Sequence, residues 1–120
     1  MSDFIPTVDD ATIQRLIDRD YVADVSDRVR VLLESYGNKP HHIERNRVRA
    51  AVLRLANGDL AEVQRQIAVA NVDFRDIIGA AEYPSQMKIG FVGMDRVGAQ
   101  RLQELREQDW RDYCEWLART

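Results

Sequence analysis

The side chains that offer chemistry fall in a few places along the chain. His41 and His42 are the two histidines, and Glu44 follows His41 by three positions. On a helix, that spacing puts an imidazole and a carboxylate on one face, which is the beginning of a metal site. A catalytic zinc site usually needs three protein ligands, and a di-iron bundle needs two Glu-x-x-His units on different helices. The chain has neither set. The expectation is no metal and no cofactor, with both histidines exposed at a helix start after Pro40.

Cys114 is the single cysteine. A nucleophilic thiol needs a base or a positive neighbour to form thiolate. Cys114 instead has Asp112, Tyr113, Glu115 and Trp116 around it, and acidic charge raises a thiol pKa. It also falls on the apolar stripe of the last helix, which predicts a buried structural side chain. Asp109, Asp112 and Glu115 recur every three residues, and paired carboxylates can do acid–base work. Arg106, Arg111 and Arg119 interleave them, as on a solvated, ion-paired helix. There is no Walker loop, dinucleotide glycine motif, nucleophile elbow or histidine zinc motif. Gly90-Phe91-Val92-Gly93 has too little glycine, and no following basic residue, for a phosphate loop. No catalytic residue is assigned, and the reading leans away from an enzyme.

One basic segment lies inside an acidic protein of net charge −3. Lys39, Arg45, Arg47, Arg49 and Arg54 stand against Glu44 alone. They could contact phosphates, and the helix–Asn57-Gly58–helix junction has the outline of a helix-turn-helix. The helix after that junction opens with Asp59 and Glu62, which repel phosphates. The arginines also spread around the preceding helix. An ion-pairing face is therefore the leading reading, and nucleic-acid binding through this segment is the alternative.

These residues sit on elements that the apolar spacing marks out. Thr7-Val8-Asp9-Asp10 after Pro6 predicts a helix start, with Ile13, Leu16, Ile17 and Tyr21 on its inner face. Val25, Val29, Leu32, Leu33 and Tyr36 predict a second helix, ended by Gly37 and Pro40. Val48, Ala51, Val52 and Leu55 predict a third, which starts near Pro40 to Glu44 and stops at Asn57-Gly58. Asp59 should cap a fourth, with Leu60, Val63, Ile67 and Ala70 inward. Asp73 and Asp76 open a fifth, with Phe74, Ile77, Ile78 and Ala81, closed by Pro84. Residues 84–94 break the pattern with a proline and two glycines and are expected to form an irregular, partly covered loop. Asp95 should start a final helical stretch with Val97, Leu102 and Leu105, continuing or bending into Trp110, Tyr113, Cys114 and Leu117.

The chain has 120 residues, 45% apolar and 31% charged. That is enough to bury a core without disulfide or metal. The expected fold is all-α, a compact bundle of five or six short amphipathic helices forming one helical domain over 1–120. Nothing approaches the roughly 20 apolar residues of a membrane helix. The opening Met-Ser-Asp-Phe-Ile-Pro lacks the basic and apolar segments of a signal peptide. With one cysteine, a cytoplasmic location is expected.

The stretch Leu55 to Pro84 contains Asn57-Gly58-Asp59-Leu60 and then Asp73-Phe74-Arg75-Asp76-Ile77-Ile78-Gly79-Ala80-Ala81-Glu82-Tyr83-Pro84. It resembles a segment of small uncharacterised bacterial proteins that share an aromatic-Arg-Asp turn followed by Ala-Glu-Tyr-Pro. The resemblance implies a helical fold and a bacterial origin, and no activity.

The functional expectation is a non-enzymatic cytoplasmic protein-interaction module. Its partner is an unidentified protein or a second copy of itself, including a homodimer. Candidate contact residues are Phe91 and Val92 in the glycine-broken stretch and Trp116, which is off the last helix's inner stripe. Arg75, Glu82 and Tyr83 beside the Pro84 turn join them. A small enzyme or small-molecule carrier using Glu82, Tyr83, His41 or His42 is a further alternative, which needs a pocket.

Overall fold

Aspartates start three of the described helices, because an Asp side chain can accept from the orphan N–H groups of a first turn. Asp9 takes the Thr12 N–H at 2.8 Å and the Thr12 hydroxyl at 2.7 Å. Asp59 takes Ala61 N–H at 2.9 Å, and Asp73 takes Arg75 N–H at 3.0 Å. The computed structural model describes residues 6–38 and 44–119, without the side chains of residues 91, 92, 94 and 95. Across them run α1 (Asp10–Asp20), α2 (Ala23–Glu34), α3 (Arg45–Ala56), α4 (Leu60–Val72), α5 (Phe74–Glu82), α6 (Pro84–Val97) and α7 (Ala99–Ala118). The all-α class holds, and no strand occurs among the described residues.

α3 is the central helix. It packs most extensively against α5 and α4, and also against α1. Its sequence suggests one apolar stripe, yet Val48, Arg49, Ala50, Ala51, Val52, Leu53 and Ala56 are all buried. Three alanines make this arrangement feasible, because small side chains let neighbours approach from several sides. Leu53 is buried, whereas Leu55, expected on the inner face, is only half-buried. α3 begins at Arg45 with Glu44 as its N-cap, at the C-terminal edge of the Pro40 to Glu44 range expected, and residues 39–43 lie outside the described residues. It ends where expected, with Asn57 (φ 49°) and Gly58 (φ 83°) both left-handed. Asn and Gly are among the residues that adopt this conformation most readily.

Two expectations about the C-terminal third need correction. Among the described residues there are seven helices rather than five or six, and most of 84–94 is helical rather than loop. Pro84 occupies the first turn of α6, where its missing N–H would have no helical acceptor in any case. It therefore opens a helix here as well as closing α5. The irregularity is confined to Gly90, whose φ of 71° and ψ of 175° kink α6. The final helix does not start at Asp95. That residue is still in α6, and Gly98 (φ 91°) separates it from a continuous α7.

The core joins Leu16 and Ile17 of α1, Val29 and Leu33 of α2, α3, Val63 and Ile67 of α4, Ile77 and Ile78 of α5, and Tyr113 of α7. α6 contributes no described side chain to it, and α7 buries only Asp109 and Tyr113. The apolar residues of the hairpin, Ile89, Val97, Leu102 and Leu105, are half-buried, and none is among those packed on the core. α6 instead packs chiefly against α7. The molecule measures 47 × 30 × 25 Å, an elongation that suits a helical hairpin appended to a bundle.

Candidate functional site

The polar residues singled out from sequence separate into an internal network and a peripheral hairpin. In the internal network, α3 presents Arg47 to Glu82, the last residue of α5. The Glu82 side chain is 1% exposed. Arg47 Nε donates to Glu82 Oε2 and Nη2 to Oε1, both at 2.8 Å. Nη2 also donates to the Tyr83 hydroxyl at 2.9 Å, and Nη1 to Glu44 at 3.1 Å. The hydrogen bonds to Glu82 push the Arg47 pKa above its ordinary value, against the effect of burial. Both Glu82 oxygens face the guanidinium fork, so this carboxylate holds two helices together. Burial is also the main cause that raises the Tyr83 pKa. Five clefts among the described residues are lined by side chains other than Arg47, Glu82 and Tyr83.

Arg54 lies over the Tyr113 ring at 5.3 Å and the Trp116 ring at 5.7 Å, and its Nη1 donates to the Asp112 carbonyl at 3.2 Å. Arg19 covers Trp116 from α1 at 5.2 Å. Such cation–π contacts occupy guanidiniums that a sequence reading places in solvent. Arg15 and Arg19 also donate to carbonyls in the last turn of α7, at Leu117 and Trp116, and to that of the following Arg119. The Trp116 and Leu117 carbonyls are acceptors that a helix C-terminus leaves unsatisfied, and cations there meet the negative end of the dipole. Trp116 is thus half-buried in the seam between α1, α3 and α7. It tilts against Tyr113 at 5.6 Å.

Asp109 is 4% exposed. It accepts from Ser85 N–H at 3.1 Å and from the Ser85 hydroxyl at 2.8 Å, capping α6 from α7. The charge pattern of α7 marks Asp109 as solvated. The structure instead places it at the base of the hairpin, where its carboxylate meets the positive end of α6.

The remaining candidates divide by exposure. Arg75 is exposed and pairs with Asp73 at 3.1 Å. Arg45 is exposed on α3, while Arg49 is buried and donates to the Tyr36 carbonyl. Of the basic segment, Arg47, Arg49 and Arg54 therefore have partners within the chain. Lys39, His41 and His42 lie outside the described residues. Phe91 and Val92 are on α6 just after the Gly90 kink, and their side chains are likewise outside the described set. Cys114 is half-buried rather than buried, and burial pushes its thiol pKa up, away from thiolate. Trp110, expected in the core, is also only half-buried.

Sequence reasoning missed the Arg47–Glu82 and Ser85–Asp109 pairs because their partners are 35 and 24 residues apart. Local spacing carries no signal for either. Among the described residues, no group of three or more His, Cys, Asp or Glu is placed to hold a metal ion. No described helix is long and apolar enough to cross a membrane. In comparisons with known proteins, no family model, no curated protein sequence and no solved structure matches the chain.

Proposed function

We propose that the chain is a non-enzymatic cytoplasmic interaction module that docks a protein, including a second copy of itself, through the α6–α7 hairpin. One observation carries this reading: Ile89, Val97, Leu102 and Leu105 are apolar and half-buried, yet none packs on the core. Met87 on the same hairpin is 50% exposed. Amphipathic helices whose apolar sides lack a complete cover gain by burying them against a partner. Phe91 and Val92, chosen as contacts from sequence, belong to the same element. Glu82 and Trp116 are engaged within the bundle, and this reading does not use them as contacts.

The bundle anchors the hairpin. Tyr113 and the Arg15 and Arg19 caps fix the C-terminal half of α7, and Asp109 ties α6 to it. Met87→Glu places a charge on the hairpin's exposed side, at a side chain whose sulfur rests against Gly79 of α5. Capture of tagged protein from its host should recover a stoichiometric partner, or a second copy, with the native chain. The Met87→Glu variant should lose it while keeping its helical signal. Equal recovery by both would remove the hairpin from the binding surface.

A further inference from the structure

A cleft between α1, α2 and α3 has a volume of about 480 Å³. Small-molecule sites run from roughly 300 to 1,000 Å³. Ile13, Ile17 and Leu33 give it apolar surface, and Arg30, Arg45 and Arg49 bring three guanidiniums to it. Asp10 and Glu34 line it too.

Arg49 is the unusual member. Its exposure is 9%. Nε and Nη2 donate to the Tyr36 carbonyl at 3.1 and 2.6 Å, and no carboxylate hydrogen-bonds it among the described residues. A carbonyl satisfies N–H groups but supplies no counter-charge, and a buried cation without one is costly. Arg45 stands one helical turn earlier on α3, a like charge at the i, i+4 spacing, where repulsion is expected. Burial first, and then the Arg45 charge, hold Arg49 below its ordinary pKa, while Glu34 and Asp10 act in the opposite direction. Arg45 itself makes no hydrogen bond to a described residue. Arg30 is paired with Asp27 at 2.6 Å.

We propose that this cleft binds a small phosphomonoester bearing hydroxyl groups, with Arg49 and Arg45 facing the phosphate and Asp10 and Glu34 accepting from the hydroxyls. Guanidinium forks match phosphate oxygens in geometry as well as charge. The two carboxylates would repel a second phosphate, which disfavours a nucleic-acid strand. They suit a polyol, whose hydroxyls donate. This site is separate from the α6–α7 hairpin, so either proposal can fail without the other.

The test is calorimetric titration of the full chain with glycerol phosphate, a hexose phosphate, inorganic phosphate and the free hexose. The expected result is saturable binding of at least one ester, tighter than inorganic phosphate, and no binding of the free hexose. Arg45→Gln, at an exposed position, should weaken the ester by roughly ten- to a hundredfold, the loss of one or two charge-assisted hydrogen bonds. Arg49→Lys should weaken it as well, and if that variant does not fold, the Arg45 variant still decides. No ester binding at millimolar concentration, or unchanged binding by Arg45→Gln, would overturn the site. Inorganic phosphate binding as tightly as the esters would overturn the role of Asp10 and Glu34.

Discussion

Arg47 and Glu82, 35 positions apart, meet through two parallel hydrogen bonds of 2.8 Å and lock α3 to the end of α5. The carboxylate is almost wholly buried, so the pair is strongly interdependent. Removing Arg47 leaves a buried charge with no counter-ion. Arg47→Met should cost about 3–5 kcal/mol, whereas replacing both partners with apolar residues of similar volume should cost far less. Urea unfolding of the two single variants and the double variant measures this. Single variants within the error of the native chain would show that the pair is not a structural tie.

Tyr113 is fully buried, and its hydroxyl has no hydrogen-bond partner among the described residues. Leaving a buried hydroxyl unpaired costs about 1–3 kcal/mol. Tyr113→Phe should therefore be neutral or stabilising, while Tyr113→Ala should cost about 3–5 kcal/mol through the cavity it leaves. A thermal-unfolding series distinguishes these outcomes. Marked destabilisation by Phe would reveal a partner for the hydroxyl.

Asp109 caps α6 through Ser85, and α6 has no side-chain cap of its own. Asp109→Ala should cost about 1 kcal/mol and loosen the first turn of α6. Asn retains an acceptor and should restore part of the loss. Amide exchange of residues 85–88, compared across the three proteins, is the readout.

Alkaline pH should destabilise the fold. Burial pushes Tyr21 up to about 12 and also raises Tyr36, Tyr83 and Tyr113. Below the unfolded-state value of about 10, both states are protonated and this contribution is complete. As pH rises above it, the unfolded chain ionises first, so stability falls through the window up to the folded-state values. Phenolate absorbance followed beside the helical signal should show ionisation and unfolding together. Ionisation of all tyrosines near pH 10 with the fold intact would contradict these burials.

What was legible in the sequence was local. Asp9, Asp59 and Asp73 announce helix starts because the cap lies two or three residues from its donor. Asn57-Gly58 announces a stop because few other residues take left-handed backbone readily. α6 was hidden because Pro84, Gly90 and Gly93 read as breakers, yet one sits where proline is harmless and only Gly90 breaks the helix. Arg47, Arg49 and Arg54 read as a solvated face, because their partners Glu82, the Tyr36 carbonyl and the Tyr113 ring come from other parts of the chain. The hairpin's apolar residues were visible, but nothing local shows that they stand off the core.

Hydrogen exchange of the hairpin amides, in the isolated chain and in its captured complex, tests the docking element most directly. Residues 85–108 should exchange faster than α3 in the isolated chain and gain protection in the complex, with little change in α1–α4. A hairpin as protected as α3 in isolation, or new protection confined to α1–α4, would contradict it.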